Sequence, residues 1–247
     1  MEQGGDRSPE GQWRALFDGH TLDGWTPKIR GHALGDNYRD TFRVQDGAIR
    51  VSYDRYDQFS ESYGHLFYQA PFRFYRLRLE YRFYAPPLPE TPDWARYNSG
   101  VMILSQPPET MAQSASFPVS IEAQILGPVE GEARTNGNVC TPGTHIVLNG
   151  QLETRHCINS RTSAQPNGQW HSIEIDVLPD GRIIHRLNGA VVMEYSGAQL
   201  DPDGGMADSK PLVAAQDGRT DIVDGYISLQ SEGSPIEFRN IEVMTLD

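Results

Sequence analysis

Apolar and polar residues alternate along most of this chain, which is the pattern expected of half-buried β-strands. In the clearest example, range 75–83, every odd position is aromatic or leucine and every even position is charged. Successive side chains of a strand point to opposite faces, so we expect the odd positions in a core and the charged positions in solvent. The range 101–104 is apolar throughout and predicts a strand that is covered on both faces.

Turn signals separate these predicted strands. Asp-Gly or Asn-Gly pairs occur at 46–47, 149–150, 180–181 and 188–189, and such pairs favour tight β-hairpin turns. No segment has a convincing helical period. We therefore predict an all-β chain folded as a two-sheet antiparallel sandwich, with a flexible tail over residues 1–12 and one domain over 13–247.

The range 120–126 has the alternation that bears most directly on function. It places Glu122 and Gln124 on one face and apolar side chains on the other. A carboxylate and an amide two residues apart suit sugar hydroxyls, and the carboxylate would place a proton-transfer group against a bound ring. A solvated strand face would show the same alternation, so the pattern by itself leaves both interpretations open.

Composition narrows the choice of partner. The chain has 247 residues, with 33 Asp and Glu against 21 Lys and Arg, which gives a formal charge of −12. An acidic protein repels phosphate backbones, so we do not expect nucleic acid as a partner. The longest apolar runs fall far short of the ~20 residues of a membrane helix, so we expect no membrane insertion.

Two cysteines bear on the cellular compartment. Cys140 and Cys157 flank a predicted hairpin and would come close enough to form a disulfide, which we favour over free thiols or a zinc site. His145 and His156 lie nearby, but their spacing matches no common zinc motif, and the adjacent His156 and Cys157 are not expected to reach one ion. The first eleven residues lack the apolar stretch of a signal peptide. We expect a periplasmic or extracellular protein whose leader is absent from this sequence, with a cytoplasmic protein as the alternative.

A series of short motifs, in order along the chain, resembles those of the 3-keto-disaccharide hydrolase domain family. The resemblance extends from Leu16 to Val243. It implies a concanavalin A-like jelly roll that is usually exported in bacteria. The motifs are Phe17-Asp18-Gly19-His20-Thr21-Leu22-Asp23-Gly24-Trp25, Val44-Gln45-Asp46-Gly47-Ala48-Ile49, Asn98-Ser99-Gly100-Val101, Glu122-Ala123-Gln124-Ile125-Leu126, Trp170-His171-Ser172-Ile173-Glu174, Leu187-Asn188-Gly189, Ile227-Ser228-Leu229-Gln230 and Ile236-Glu237-Phe238-Arg239-Asn240-Ile241.

The activity implied by this resemblance is cleavage of glycosides whose sugar is oxidised at C3. A C3 ketone acidifies the hydrogen on C2, so a base can remove it and form an enolate. The glycosidic oxygen on C1 then leaves by β-elimination, and addition of water completes a net hydrolysis. Such a site needs a base with a near-neutral pKa, a stabiliser of the enolate oxygen and a proton donor for the leaving group.

The resemblance also implies site residues. Many family members continue the Leu229-Gln230 motif with Asp and His, whereas this chain has Ser231 and Glu232. A divalent metal with Glu, Gln and His ligands is left open, and its ligands are not assigned. The resemblance gives Glu122, Gln124, Gln230 and Arg239, with Arg239 as a candidate stabiliser of the enolate oxygen. His145, followed by His65, is our own candidate for the base or a metal ligand. The expected catalytic residues are Glu122, His145 and Glu232, and the expected substrate-binding residues are Gln124, Gln230, Arg239, His65, Trp94 and Asn98.

Two other functions compete with this one. A lectin-like carbohydrate-binding module would use the same sheet face, with Trp94, Tyr97 and Trp170 as stacking platforms. Ordinary retaining glycoside hydrolases of this fold class resemble one another in an E-x-D-x-E run on one strand. Here Gln124 and Leu126 replace the second and third acids of that run, so this mechanism would lose its acid.

Overall fold

Short strands carry most of the regular structure in the computed structural model, which describes residues 11–246. The remaining regular elements are helix α1 (Lys210–Ala215) and single 3₁₀ turns at Tyr38–Asp40, Asp93–Ala95 and Pro108–Thr110. In chain order the strands are β1 (Arg14–Ala15), β2 (Trp25–Ile29), β3 (Phe42–Gln45), β4 (Ala48–Val51), β5 (Gly64–Tyr68), β6 (Tyr75–Phe83), β7 (Asn98–Ser105), β8 (Ile121–Leu126), β9 (Asn138–Cys140), β10 (Thr144–Leu148), β11 (Gln151–Glu153), β12 (Cys157–Ile158), β13 (His171–Val177), β14 (Arg182–Leu187), β15 (Ala190–Leu200), β16 (Tyr226–Ser231) and β17 (Ile236–Thr245).

The strands form two antiparallel sheets. A ten-stranded sheet has the order β11-β10-β15-β14-β13-β6-β17-β4-β3, with β1 added beside β17. A seven-stranded sheet has the order β12-β9-β8-β7-β16-β5-β2. Neighbours in the sheets are often distant in sequence, so the chain crosses repeatedly between them, as in a Greek-key sandwich. The predicted all-β, two-sheet class is confirmed.

The core lies between the two sheets and follows the alternation in the sequence. The odd residues of β6 are all buried, while its even residues are exposed or half-buried. Every residue of β7 is buried, as the apolar run predicted. The predicted turns also form: Asp46 and Gly47 both have positive φ, 53° and 76°, and connect β3 to β4 as a type I′ turn does.

Two of the predictions concern the range 200–224 and the N-terminal tail. The range 200–224, for which no helix was predicted, contains the six-residue α1, a helix too short to give a clear 3.6-residue period. The predicted tail over residues 1–12 lies almost wholly outside the described residues. Across 11–246, no helix has the length and apolar character needed to span a membrane.

The seven-stranded sheet positions the candidate site. On β8, Ile121, Ala123 and Ile125 enter the core, so Glu122 and Gln124 project from the other face of the sheet. Loops cover that face, and Glu122 is only 5% exposed. Glu122 and Gln124 therefore lie at the bottom of a covered cavity and not on a solvated strand face.

Candidate active site

A cavity of about 400 Å³ lies on the loop-covered face of the seven-stranded sheet. Its floor is polar and comes mainly from strands, whereas its rim comes from loops and from the ends of the short strands β9 and β12. The floor residues are Asn98 on β7, Glu122 and Gln124 on β8, and Glu232 just after β16. The rim residues are Trp94, Phe117, Cys140, Pro142, His156, Cys157 and Met206.

Glu122 has its position because the neighbouring strand carries a glycine. In the register of β7 and β8, Met102 pairs with Glu122 and Gly100 pairs with Gln124. The Glu122 side chain bends over Gly100, where an added Cβ would be 2.4 Å from Oε1 and 2.8 Å from Cδ. Real Cβ atoms do not approach so closely. The glycine therefore makes the space in which the Glu122 carboxyl lies.

Glu122 and Glu232 form a pair of buried carboxyls. Burial raises the pKa of Glu122 to about 8. Burial also raises the pKa of Glu232 well above its ordinary value, and the nearby charge of Glu122 adds to this effect, while Arg134 opposes it. Two such groups do not both ionise readily near neutral pH. The pair can therefore present one proton donor and one proton acceptor to the same ligand.

Arg134 supports this end of the floor without entering the cavity. It donates to the backbone oxygens of Arg96, at a short distance, of Gly127 at 3.2 Å and of Trp94 at 3.2 Å. Through these hydrogen bonds, the guanidinium of Arg134 holds the loop before β7 against the end of β8. Its positive charge still favours the ionised form of Glu232.

Several buried polar atoms on the floor and on the adjoining part of the same sheet face have no hydrogen-bond partner within residues 11–246. Leaving such an atom unpaired costs about 1–3 kcal/mol, so it marks a place where a polar ligand gains hydrogen bonds. These atoms are Asn98 Oδ1, Glu122 Oε1, Gln230 Oε1 and Glu232 Oε2, together with both ring nitrogens of His65.

Gln124 is fixed by a neighbour that sequence reasoning did not select. Asn138 on β9 pairs with Gln124 in register, and its side-chain amide donates to Gln124 Oε1 at 2.9 Å. Asn138 Oδ1 accepts hydrogen bonds from Ser160 N and Thr135 Oγ1, each at 2.8 Å. These contacts orient Gln124 at the cavity floor and leave little rotational freedom to the pair.

His65 and Gln230 lie farther along the same sheet face. They are paired in register between β5 and β16, and His65 is completely buried. Burial, helped by the positive charge of Lys28, lowers the pKa of His65 to about 3, so its ring is neutral at physiological pH. The ring of Phe117 lies 6.2 Å from the His65 ring, and Phe117 itself lines the cavity. His65 itself is not among the residues that line the cavity.

The predicted disulfide forms the wall beside Glu122. Cys140 and Cys157 are bonded, and Cys140 pairs in register with Glu122 on one side and with Cys157 on the other. His156, just before β12, also lines the cavity, and burial lowers its pKa. The ring of His156 is therefore mostly neutral at physiological pH.

Metal binding has one possible donor cluster in the described range. Cys140, His156 and Cys157 offer ligand atoms within 4.8 Å of one another. With both cysteines in the disulfide, only His156 keeps a free donor. Glu122 and Glu232 would supply two carboxylates, without a third His, Cys, Asp or Glu close enough to complete such a group in residues 11–246.

Not all predicted residues meet in this cavity. His145 lies on β10 of the ten-stranded sheet, 3.6 Å from Asp201, and does not line the cavity. Arg239 lies on β17 of the same sheet, with Nε 2.6 Å from Glu80 Oε2 and its guanidinium 4.0 Å from the centre of the Trp170 ring. Because Phe238 beside it enters the core, Arg239 faces outward on the opposite side of the sandwich. The structure therefore groups Glu122, Glu232, Gln124, Asn98 and Trp94, with Gln230 and His65 adjacent, and it separates His145 and Arg239 from them.

Other cavity residues were not selected from the sequence. Phe117 and Met206 lie in loops, where no periodicity indicates their orientation, and His156 was considered only as a zinc ligand. Gly100 could have been noticed, because it falls within a motif and in a strand that is otherwise apolar. A glycine in a strand interior often marks a close approach by another group.

Comparison with known proteins agrees with this architecture. The 3-keto-alpha-glucoside-1,2-lyase-like domain matches residues 12–244. None of the curated proteins matches the chain.

Solved structures of similar fold include several carbohydrate-related proteins. One is a proposed glycosyl hydrolase from Parabacteroides distasonis, with 18% identity, a TM-score of 0.56 and coverage of 95% of this chain and 94% of that one. Another is the Bacillus licheniformis β-glucanase, with 11% identity, a TM-score of 0.52 and coverage of 98% and 100%. A third is the exoplasmic domain of VIP36 bound to Ca²⁺ and Man3GlcNAc, with 10% identity, a TM-score of 0.51 and coverage of 94% and 87%. At these identities the likeness concerns the fold, and the predicted concanavalin A-like jelly roll is confirmed.

Proposed function

Because the chain belongs to the 3-keto-alpha-glucoside-1,2-lyase-like domain family, we propose that it cleaves glycosidic bonds of 3-keto-glycosides. The reaction is removal of the proton on C2, elimination of the group on C1 and addition of water to the resulting enone. The observation that carries this proposal is the buried carboxyl pair of Glu122 and Glu232 at the floor of a ligand-sized cavity.

The pair supplies both proton transfers of an elimination. The ionised carboxyl takes the C2 proton, and the electrons of the C2–H bond form the enolate conjugated with the C3 ketone. The C1–O bond then breaks, and the departing oxygen takes a proton from the carboxyl that is still protonated. A pKa raised by burial suits both tasks, because a general acid or base works best when its pKa is near the working pH.

The enolate oxygen needs hydrogen-bond donors. Arg239, which the family resemblance suggested for this role, lies on the other side of the sandwich. Asn98 and Gln124 lie on the cavity floor, and Gln230 lies farther along the same sheet face. We assign the C3 oxygen to the side-chain NH₂ group of Gln124, whose oxygen already accepts from Asn138, and substrate hydroxyls to the unpaired oxygens of Asn98 and Gln230. Fixed amide donors of this kind stabilise developing negative charge without reorganising during the reaction.

One observation favours a second candidate. The sequence run on β8 lacks the second acid of a retaining glycoside hydrolase, but Glu232 brings a second carboxyl to Glu122 from β16. Ordinary glycoside hydrolysis uses two carboxyl groups on opposite sides of the glycosidic bond. The oxidation state of the substrate distinguishes the two reactions, because elimination requires the C3 ketone and ordinary hydrolysis does not.

The decisive experiment measures turnover of a 3-keto glucoside and of its unoxidised parent, each with and without a chelator. We expect cleavage of the keto form alone and a primary isotope effect when C2 carries deuterium. Cleavage of the parent at a comparable rate would replace this proposal with ordinary hydrolysis. Sugar binding without cleavage of either compound would favour a lectin-like module, and loss of activity with chelator would add a divalent metal.

The same measurements on Glu122→Gln separate catalysis from binding. Gln keeps the shape of the side chain but cannot exchange the proton, so we expect kcat to fall by at least 100-fold while substrate affinity changes little. A lectin-like module would show no turnover in either protein. We also propose export to the periplasm or the extracellular space, which is supported by the disulfide in the cavity wall.

A further inference from the structure

The floor and the rim of the cavity differ sharply in chemistry. The floor carries two carboxyls and the amides of Asn98 and Gln124. The rim side chains are apolar apart from the His156 ring and the indole N–H of Trp94. A ligand that fits this cavity therefore has a polar end that reaches the floor and an apolar end that stays at the rim.

Trp94 gives the rim a rigid flat surface. Its ring is stacked on Tyr63, with a centroid distance of 6.1 Å and an interplanar angle of 16°. Its backbone oxygen accepts hydrogen bonds from Asn98 Nδ2 at 3.3 Å and from Arg134 Nη2 at 3.2 Å. The side chain nevertheless remains 53% exposed. One face of the indole is thus backed by Tyr63, and the other is available to a flat ligand.

Met206 adds a flexible apolar contact at the same rim. It is 58% exposed, and its loop is held against the turn before β10, where a Cβ on Gly143 would be 2.7 Å from the backbone oxygen of Ala207. Residues 11–246 expose six large hydrophobic side chains, and two of them, Trp94 and Met206, line this one cavity. Exposed apolar groups that cluster in this way mark a binding surface.

A second sugar at the rim would find few hydrogen-bond partners. Each pyranose hydroxyl needs a hydrogen-bond partner, and the side chains of the described rim offer only the ring nitrogens of His156 and the indole N–H of Trp94. A flat aromatic group needs no such partners and gains from stacking on an indole and from contact with a thioether.

We propose that the group released from C1 is a flat aromatic alcohol, a phenolic aglycone, held against Trp94 and Met206 with the keto sugar on the polar floor. This inference rests on the proposed function and specifies its substrate class. In the elimination step, the C1–O bond breaks and its electrons go to the phenolic oxygen, which takes the proton from the protonated carboxyl. A phenol has a pKa near 10, as for tyrosine, so it leaves more readily than an aliphatic sugar hydroxyl.

The first test measures binding, independently of turnover. Free 2-naphthol and free glucose are titrated calorimetrically into the whole protein and into Trp94→Ala and Trp170→Ala. Trp170 is the matched control because it lies under Arg239 on the other sheet. We expect 2-naphthol to bind more tightly than glucose, and its affinity to fall at least tenfold in Trp94→Ala while Trp170→Ala leaves it unchanged. Glucose binding as tightly as 2-naphthol, or equal losses in the two variants, would overturn the inference.

The second test separates this inference from the proposed function. The 3-keto glucosides of 2-naphthol and of a second glucose are compared as substrates, and the ratio of their KM values is measured in both tryptophan variants. We expect a lower KM for the naphthyl compound, with the difference abolished in Trp94→Ala only. Turnover of both with the lower KM for the disaccharide would defeat the aromatic-alcohol inference and leave the proposed function standing. Turnover of neither, with selective 2-naphthol binding at Trp94, would defeat the proposed function and retain the aromatic site.

Discussion

The carboxyl of Glu122 lies directly against Gly100 of the neighbouring strand, where a Cβ would be 2.4 Å from Oε1 and 2.7 Å from Cγ. The Gly100 backbone lies in a strand and not in the left-handed region, so alanine is tolerated there by the backbone itself. The atoms it would strike belong to the end of a flexible side chain. We therefore expect Gly100→Ala to fold and to push the Glu122 carboxyl out of place, lowering kcat for a 3-keto glucoside by at least tenfold.

A double-mutant cycle with Glu122→Gln tests whether the glycine acts through the glutamate. If it does, the double variant will be barely slower than Glu122→Gln alone, because the displaced group no longer matters. Steady-state kinetics on the four proteins give the coupling. Full activity of Gly100→Ala, or losses that simply multiply in the double variant, would contradict this account of the site.

The raised pKa of Glu122 makes stability depend on pH. Its folded pKa of about 8 lies above the ordinary 4.5. The neutral buried acid contributes its full stabilisation below about pH 4.5, and this contribution is lost as the pH rises towards 8. Each unit of difference between the folded and unfolded pKa is worth about 1.4 kcal/mol. We expect the unfolding free energy of the native protein to fall, relative to Glu122→Gln, between pH 5 and pH 8.

Denaturant unfolding at several pH values measures this difference, and Glu153→Gln is the control. The hydrogen bond from Arg155 lowers the pKa of Glu153 to about 2, so that group is ionised throughout the window in both states. The difference between native protein and Glu153→Gln should therefore be flat from pH 5 to pH 8. A flat difference for Glu122→Gln as well would show that its carboxyl is not held in a low-dielectric environment.

We expect replacement of Arg239 to have little effect on stability or activity. Its guanidinium is half-exposed and engages Glu80 and Trp170 on the outer face of the ten-stranded sheet. Partly exposed pairs contribute about 0–1 kcal/mol, so we expect Arg239→Ala to lose no more than that in stability and to keep kcat and KM within twofold. Kinetics and denaturant unfolding on the same preparation check both. A large loss of kcat with unchanged stability would mean that Arg239 reaches the substrate and that the site extends beyond the cavity described above.

The sequence predicted the strands and the central carboxylate because both depend on local periodicity. Alternation places Glu122 and Gln124 on one strand face whatever the rest of the chain does. It does not indicate which sheet a strand joins, since that depends on pairing between distant segments. For this reason the sequence grouped Arg239 with Glu122, whereas the structure places Arg239 on β17 of the ten-stranded sheet.

The orientation of the rim residues could not be predicted from the sequence, for a different reason. Phe117 and Met206 are fixed by how their loops pack on the sheet, and no repeating pattern reports that packing. Glu232 was selected only because it follows a family motif. Its partnership with Glu122 depends on the order of β8, β7 and β16 in the folded sheet, which periodicity alone does not predict.

The disulfide joins two short strands whose pairing forms the cavity wall. It closes a segment with a sequence separation of 17 residues, and a loop of about that length contributes roughly 3 kcal/mol to stability. We expect Cys140→Ser/Cys157→Ser to lose about that much in denaturant unfolding. We also expect its KM for a 3-keto glucoside to rise, because β12 is an edge strand that pairs with the three-residue β9 alone.

The effect of Cys140→Ser/Cys157→Ser on kcat shows whether the disulfide only forms the cavity wall or takes part in catalysis. Glu122 lies on β8 and Glu232 just after β16, and both of these strands are paired with β7 and contain neither cysteine. At saturating substrate we therefore expect kcat of the double serine variant to stay within a few-fold of the native value while KM rises. Treatment of the native protein with a thiol reductant should reproduce the same change and should leave the serine variant unaffected. A collapse of kcat without a change in KM would instead place the cysteines or His156 in the proton transfers.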